Sequence, residues 1–223
     1  MEVVIVLGGP NTKEDIKALL ENRYAKAYKD FRFVGVDGGA LRLLDQHLPM
    51  EVAIGDFDSV TKEQRDLIHG AASTVVQLPC EKDNTDFEAA LLWVKEHYEG
   101  TPIHVLGSFG GRVDHAISTL WTMMRPDLAP LIPYVVFEDA TNVVNFIQPG
   151  TYTIERMDFT KYLSFISMTP VENLTLKNVK YILDSKSYAY PVALVSNEFT
   201  ADKMTISFTK GLILVAQTRD HWR

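Results

Sequence analysis

The chain has 223 residues, of which 46% are hydrophobic and 23% charged, values that are typical of globular proteins. Its 22 basic and 29 acidic side chains give a net charge of −7, which argues against a protein that binds the phosphate backbone of nucleic acids. The single cysteine, Cys80, excludes an intramolecular disulfide and favours a cytoplasmic protein. The N-terminal apolar run lacks a basic flank and is too short to span a bilayer, so we expect no membrane segment.

The first part of the chain alternates short apolar runs with longer amphipathic segments. Continuous apolar runs of this length are typical of strands that are buried on both faces of a parallel sheet. Strands and helices in alternation predict an open, mostly parallel α/β sheet of the Rossmann-like kind. The predicted strands are Val3–Leu7, Phe33–Asp37, Val52–Asp56, Thr74–Leu78 and Ile103–Gly107.

Helix signals fall between these strands. Thr61 with Gln64 and Thr85 with Glu88 have the spacing of capping boxes, in which two side chains satisfy backbone N–H groups at a helix start. Two sets of apolar residues then recur at helical spacing. They are Phe87, Ala90, Leu91 and Val94, followed by Ile117, Leu120, Trp121 and Met124.

The pattern changes near a segment with three prolines, Pro126 to Pro133, which we interpret as a linker. Runs rich in β-branched and aromatic residues follow it, such as TYTI, YLSFISM, MTISF and LILVA, with turn signals between them. This half predicts a β-sandwich or a barrel-like domain, and we take the sandwich as the expected form. We therefore expect two domains, an α/β domain over residues 1–131 and a β-sandwich over residues 132–223.

Four polar motifs each come directly after a predicted strand. They are VDGGA from Val36, GDFDS from Gly55, KDNTDFEAAL from Lys82 and GSFGGRVDHA from Gly107. In open α/β sheets, ligands bind at the edge where the carboxyl ends of the strands meet. The four motifs are therefore expected to converge on one binding site at that edge.

The motifs combine carboxylates with glycine pairs and two cations. The aspartates, Asp37, Asp56, Asp58, Asp86 and Asp114, would repel one another without a cation. Oxygen ligands without a Cys or His cluster indicate Mg²⁺ rather than Zn²⁺. The glycine pairs at 8–9, 38–39 and 110–111 would let amides beside helix N-termini hold phosphate, while Lys82 and Arg112 would bind anionic oxygens. The alternatives are ordinary turns for the glycines and solvated surface charges for Lys82 and Arg112. Asp83 and Asp114 could be N-caps, and His115 could have a helix-start role.

Together these motifs resemble the thiamine pyrophosphokinase (thiamine diphosphokinase) family. VDGGALRLL, IGDFDSV, DNTDFEAAL and GSFGGRVDHAISTL have its order and spacing, and the later stretch from Val179 to Phe199 resembles its β-domain. The resemblance implies transfer of a pyrophosphoryl group from ATP to the hydroxyl of thiamine, giving thiamine diphosphate and AMP. It also implies a homodimer whose active sites each combine the α/β domain of one chain with the β-domain of the other.

The resemblance also implies roles for individual residues. Asp56, Asp58 and Asp86 would be catalytic and hold Mg²⁺. ATP would be bound by Asp37, Gly38, Gly39, Lys82, Gly110, Gly111, Arg112 and Asp114. In the β-domain, Tyr181 would stack on thiamine, with Ser196 and Asn197 nearby. For Tyr181 the alternative is an ordinary strand aromatic.

Two rival functions remain at this point. In a haloacid-dehalogenase-like phosphatase, the Asp-x-Asp of GDFDS would make Asp56 a nucleophile. That signature normally follows the first strand, whereas here it follows the third. A nucleotide-sensing module without turnover is the non-enzymatic alternative, because a fold does not determine a function.

Overall fold

The computed structural model describes residues 1–10 and 15–220 of the chain. Two compact units divide between Asp139 and Ala140, and each has its own apolar core. The first unit is an α/β structure and the second is built from antiparallel strands. The predicted fold class is therefore confirmed.

The first unit is organised around six strands in the order β6-β5-β1-β2-β3-β4, with every neighbouring pair parallel. The five predicted strands are confirmed to within two residues at each end. β6 was not predicted as a strand of this sheet. The strands are β1 Glu2–Val6, β2 Phe31–Val36, β3 Met50–Gly55, β4 Ala72–Gln77, β5 Ile103–Leu106 and β6 Val135–Glu138.

Within the described residues, five α-helices connect these strands: α1 Ile16–Tyr24, α2 Gly38–Asp45, α3 Lys62–Ala71, α4 Asp86–His97 and α5 Val113–Trp121. Both predicted capping boxes are present, Thr61 with Gln64 at α3 and Thr85 with Glu88 at α4. The apolar face predicted for α4 is buried, whereas Ile117 and Trp121 of α5 lie on an exposed face. A 3₁₀ turn at Thr122–Met124 continues α5, so Met124 lies beyond the α-helix itself.

The core of the first unit forms because apolar residues of the strands and of the helices that cover them face each other. Large side chains with almost no exposed surface, Phe31, Phe33, Leu43 and Phe57, lie in this cluster together with Val4 and Val6 of β1. Burial of each such side chain contributes roughly 1.5–3 kcal/mol. This packing fixes the strand ends that carry the polar motifs.

The segment from Pro126 to Pro133 differs from the expected linker. Pro126–Leu131 forms a 3₁₀ helix whose Leu128 and Leu131 are buried. β6 follows and pairs in parallel with β5, from Ile103 opposite Val135 to Leu106 opposite Glu138. The boundary of the compact units is consequently at 139/140 and not at 131/132, because β6 belongs to the parallel sheet.

The second unit contains two antiparallel arrangements, β12-β9-β14-β7 and β11-β10-β13-β8. Residues of both contribute to one apolar cluster, including Phe165 of β9, Leu174 of β10, Ile206 of β13 and Val215 of β14. Two sheets over a shared core form a sandwich, as predicted. The strands are β7 Asn142–Ile147, β8 Gly150–Glu155, β9 Tyr162–Ser167, β10 Val171–Lys177, β11 Leu183–Tyr188, β12 Ala193–Asn197, β13 Lys203–Phe208 and β14 Ile213–Thr218.

Among residues 1–10 and 15–220, no helix combines the length and the apolar composition needed to cross a membrane.

Candidate active site

A cleft of about 850 Å³ lies at the carboxyl edge of the parallel sheet in the first unit. In the sheet, β1 lies next to β5. The chain leaving β1 continues to β2 on one side, and the chain leaving β5 continues to β6 on the other side, so the two connections diverge between β1 and β5. Such a switch point is where open α/β sheets bind ligands. All four polar motifs reach this edge, and three of them contribute several residues to the cleft wall.

Three carboxylates meet beside the cleft. One oxygen each from Asp37, Asp56 and Asp58 lies within 4.8 Å of the other two. Asp37 follows β2, and the other two follow β3, so the parallel pairing of these strands brings the carboxylates together. This trio differs in one member from the trio of the sequence analysis, which had Asp86 in place of Asp37.

Asp37 is held in an unusual conformation. Its φ of 46° is rare for a residue other than glycine, and its backbone N–H donates to the carbonyl of Ile54 at 2.9 Å. Ser59 Oγ donates to Asp37 Oδ2 at 2.9 Å. The other oxygen, Oδ1, is buried and has no hydrogen-bond partner within residues 1–10 and 15–220. An unpaired buried carboxylate oxygen beside two further carboxylates indicates a place for a cation.

Lys82 places a positive charge among these carboxylates. Its Nζ lies 2.9 Å from Asp56 Oδ2 and 3.0 Å from Asp86 Oδ1, and it donates to the carbonyl of Pro79 at 3.1 Å. The side chain is only 14% exposed. Asp86 is thus joined to the aspartate trio through Lys82.

The pKa values of the two carboxyls that Lys82 contacts are shifted in opposite directions. The hydrogen bond from Lys82 lowers the pKa of Asp56, and the N–H of Asp58 supports the same direction. Burial raises the pKa of Asp86, repulsion from Asp56 and Asp37 adds to it, and Lys82 opposes both. For Lys82 itself, burial acts to lower the pKa, but its bonds to Asp56 and Asp86 raise it overall.

The glycines predicted to bind ATP divide into two groups. Gly38 and Gly111 line the cleft, whereas Gly39 and Gly110 are not part of its wall. A Cβ on Gly39 would lie 1.8 Å from the carbonyl oxygen of Val6, so this position needs glycine because α2 approaches β1 closely. The same holds for Gly9, where a Cβ would lie 2.1 Å from the carbonyl oxygen of Gly107.

Arg112 and Asp114 also line the cleft, at the start of α5. They pair with each other at 2.6 Å, both side chains are more than half exposed, and the guanidinium lowers the pKa of Asp114. The helix N-cap is Arg112, so Asp114 is not the cap; its Oδ1 accepts from the N–H of His115 in the first turn. At α4 the cap is Thr85 and not Asp83.

Sequence reasoning missed several residues of the cleft wall. Ser108 is 7% exposed, and its Oγ has no hydrogen-bond partner in the described part of the chain. Asn84 and Phe109 line the cleft as well. All three lie inside the motifs KDNTDFEAAL and GSFGGRVDHA, so the motifs marked the right loops without showing which side chains face inward.

The predicted thiamine residues lie in the second unit. The Tyr181 ring is exposed, and its backbone N–H and carbonyl are both bound by the carboxamide of Asn197, at 2.9 and 3.0 Å. Asn197 is buried, so its side chain shapes the Tyr181 loop. Ser196 has a φ of 58°, and its N–H donates to Ser164 Oγ at 3.2 Å.

Comparison with known proteins gives a consistent result. Family models match two parts of the chain: "Thiamin pyrophosphokinase, catalytic domain" over residues 26–133 and "Thiamin pyrophosphokinase, vitamin B1 binding domain" over residues 151–213. Thiamine pyrophosphokinase of Bacillus subtilis is 31% identical over 218 residues, covering 97% of this chain and 98% of that protein.

Solved structures agree with the sequence relatives. The structure of a thiamin pyrophosphokinase family protein from Enterococcus faecalis has a TM-score of 0.88 at 32% identity, covering 99% of this chain and 100% of that one. The thiamine pyrophosphokinase structure from Bacillus subtilis has a TM-score of 0.82 at 31% identity, with the same coverage. The resemblance drawn from the motifs is confirmed, and the chain belongs to the thiamin pyrophosphokinase family.

Proposed function

We propose that the chain carries out the reaction of its family at the cleft of the first unit. It transfers a pyrophosphoryl group from ATP to the hydroxyl of thiamine, producing thiamine diphosphate and AMP. The observation that carries the assignment to this cleft is the convergence of three aspartates and Lys82 at the carboxyl edge of the sheet. Such chemistry depends mainly on positioning and on neutralising phosphate charge, and these groups supply both.

The donor set at the aspartate trio fits a divalent metal. It offers only carboxylate oxygens, which suit a hard cation such as Mg²⁺, and Asp37 Oδ1 is buried without a protein partner among the described residues. We therefore propose that Asp37, Asp56 and Asp58 hold Mg²⁺, which neutralises the charge of the transferred phosphates when bound. That Asp86 also binds the metal stays a prediction.

The remaining residues of the cleft are assigned to the polyphosphate and the nucleotide. Lys82 is poised between Asp56 and Asp86, so a small movement of its flexible stem brings Nζ to an anionic oxygen. Gly38 and Gly111 lie beside the N-termini of α2 and α5, where backbone N–H groups attract phosphate. Arg112 and Asp114 are proposed on the nucleotide side. We propose a role in backbone geometry for Gly39, where α2 approaches β1, and for Gly110, whose φ of 82° favours glycine.

Thiamine is proposed to bind at Tyr181 of the second unit. An exposed aromatic ring attracts a cationic thiazolium. Lys180 Nζ already lies 5.5 Å from the ring centroid and is paired with Glu198 at 2.9 Å, so thiamine would use the other face or displace the lysine. Ser196 is proposed to contact the substrate. Asn197 acts through the backbone of Tyr181.

A homodimer with shared sites is also proposed. Val113, Ile117 and Trp121 lie one turn apart along α5 and are 72%, 48% and 55% exposed. Large apolar side chains exposed together mark interaction surfaces. In the second unit, Tyr181, Ile182 and Tyr190 are exposed as well. A symmetric dimer would cover such surfaces and bring a β-sandwich of one chain to the cleft of the other.

The test is a product assay. Purified protein is incubated with ATP, Mg²⁺ and thiamine, and AMP and thiamine diphosphate are separated and quantified. We expect equal amounts of both products and none without Mg²⁺. Nucleotide binding without either product would instead favour a nucleotide-sensing module, and a phosphate bound covalently to Asp56 would favour a phosphatase. We further propose a cytoplasmic location, where the thiol of Cys80 stays reduced.

A further inference from the structure

The loop between β4 and α4 is contacted by Arg125, which binds the side chain of Asn84. Lys82, Asp83 and Asn84 of this loop line the cleft. Behind Asn84 lies Arg125, which is not part of the cleft wall and follows the 3₁₀ turn after α5.

Arg125 binds three side chains at once. Its Nη1 donates to Asn84 Oδ1 at 2.7 Å and lies 3.3 Å from Glu88 Oε1. Asp127 holds the guanidinium from the other side, accepting from Nε at 3.1 Å and from Nη2 at 2.8 Å. A guanidinium held in this bidentate manner is fixed in orientation as well as in position.

Because arginine can only donate hydrogen bonds, the atom of Asn84 that faces it must be the carbonyl oxygen. The amide nitrogen of Asn84 is therefore turned away from Arg125. Within residues 1–10 and 15–220, this nitrogen has no hydrogen-bond partner, while Asn84 itself lines the cleft. Two N–H donors thus remain for a ligand, two residues from Lys82 and two residues from Asp86.

Arg125 also reaches the start of α4 through Glu88. Glu88 Oε2 accepts from the backbone N–H of Thr85 at 2.8 Å, as one half of the capping box. The guanidinium therefore ties Asn84 to the first turn of the helix that begins at Asp86. A shift of Arg125 would turn the amide of Asn84, and both contacts are only partly buried, with the Arg125 side chain 30% exposed.

We infer that Asn84 donates hydrogen bonds to an anionic oxygen of the bound polyphosphate, and that Arg125 is the positioning residue that orients the Asn84 amide. This rests on the proposed function for the identity of the ligand. If Arg125 fixes the orientation of this side chain, ligand binding should require Asn and not Asp at position 84. Both residues offer Arg125 an acceptor oxygen, but only Asn offers the ligand a donor.

The substitution Asn84→Asp separates the two roles. The Asp variant keeps its contact to Arg125, so its melting temperature stays equal to wild type or rises. It presents a negative charge to the phosphates, so the KM for ATP rises about 10–100-fold, the range expected for losing a hydrogen bond to a charged group. The KM for thiamine is unchanged. Asn84→Ala should raise the KM for ATP in the same direction.

A double-mutant cycle tests the part of Arg125. Arg125→Gln should raise the KM for ATP less than Asn84→Ala, and the double variant should be no worse than Asn84→Ala alone, because Arg125 acts through Asn84. The matched control is Arg32→Gln, which removes a paired arginine near the opposite end of β2 and leaves the KM for ATP unchanged. An unchanged KM in Asn84→Asp, or additive effects in the double variant, would overturn the inference.

Calorimetric titration with inorganic tripolyphosphate and Mg²⁺ keeps this result separate from the proposed reaction. Weaker binding of tripolyphosphate to Asn84→Asp supports the inference even if the wild-type protein makes no thiamine diphosphate. Equal binding by the two proteins refutes it even if the reaction is confirmed.

Discussion

At the scale of single residues, the site depends on negative charges that are kept close together. Asp37, Asp56 and Asp58 would repel one another at these distances. Lys82 compensates part of this charge from the side of Asp56 and Asp86. Asp58 is exposed and has no ion pair in the described part of the chain. A substitution there therefore tests, without breaking an ion pair, whether a metal neutralises the remaining negative charge.

We predict that Asp58→Asn abolishes turnover while the metal-free protein remains as stable as wild type or becomes more stable. Removing one of three crowded charges relieves repulsion. The measurement is thermal unfolding in a chelator and again with Mg²⁺. Wild type should gain stability from the metal, and the variant should gain little. Asp56→Asn should lose activity too, but it also loses the Lys82 contact. If Asp58→Asn unfolds at a clearly lower temperature than wild type in the chelator, the proposed metal site is contradicted.

The second residue-scale prediction concerns thiamine. Tyr181→Ala should weaken thiamine binding several-fold to tens-fold, since a cation–π face contributes about 0.5–2 kcal/mol, and should leave ATP binding nearly intact. Titration of each substrate measures this directly. Tyr134→Ala, which removes an exposed tyrosine outside the surfaces proposed for thiamine and for the dimer, is the control. Normal titration of thiamine into Tyr181→Ala would mean that the ring is an ordinary surface aromatic.

At the scale of elements, the two capping boxes offer a matched pair. Thr61 starts α3 and Thr85 starts α4, with the same reciprocal bonds. We predict that Thr61→Ala and Thr85→Ala each lower the free energy of unfolding by about 1 kcal/mol. Only Thr85→Ala should also lower kcat/KM, because α4 begins with Asp86 and its cap lines the cleft. Chemical denaturation and steady-state kinetics measure the two effects, and equal losses of activity would refute the distinction.

A second prediction at this scale concerns the buried charges that join α1, β5 and β6. Glu138 has no exposed side-chain surface and binds Arg23, Tyr24 and His104, with His104 Nδ1 at 2.9 Å and Tyr24 Oη at 2.9 Å. His104 Nε2 lies 3.1 Å from Glu2, which also pairs with Lys26. Burial acts to raise the pKa of Glu138, but the bonds from His104 and Arg23 outweigh it and hold the pKa below its ordinary value.

The sign of the pH dependence follows from that direction. A carboxyl whose pKa is lowered in the folded state stabilises the protein at any pH above the ordinary pKa of that carboxyl. This contribution is lost as the pH falls through the folded-state pKa. Glu138→Gln should therefore destabilise the protein at pH 7 by roughly 3–5 kcal/mol, the cost of breaking a buried ion pair. The difference from wild type should shrink below about pH 4.

Urea unfolding of both proteins between pH 3 and pH 8 measures this difference. Glu155→Gln, which removes an exposed partner of Lys203, is the control and should change little at any pH. If the difference in unfolding free energy between Glu138→Gln and wild type stays constant across this range, the ionised carboxylate of Glu138 is not what stabilises the protein.

At the scale of the whole molecule, the proposed dimer makes a complementation test possible. Asp86→Ala and Tyr181→Ala are each expected to be inactive or weak. If each site combines units of two chains, a mixed dimer has one site with both substitutions and one site with neither. Random exchange makes about half of the dimers mixed, so activity should reappear on mixing. Verified mixed dimers without added activity would show that each site is built from one chain.

Most elements of the first unit, the fold class and the family could be predicted from the sequence alone. Strand periods, capping boxes such as Thr85 with Glu88, and the position of each acidic motif after a strand depend on short stretches of chain. Local conformational preferences and hydrophobic periodicity act over such stretches, so they can be identified without tertiary contacts. The edge of the sheet at which the motifs converge followed from the alternation of strands and helices.

Which side chains contact one another could be seen only in the folded chain. Asp37 joins Asp56 because β2 and β3 are neighbours in register, and Arg125 reaches Asn84 across 41 positions of the sequence. Asn197 turned out to bind the backbone of Tyr181. β6 joined the parallel sheet although it follows a proline-rich segment. These contacts depend on strand order, register and side-chain direction, which are set by the packing of the whole core and leave no local pattern in the sequence.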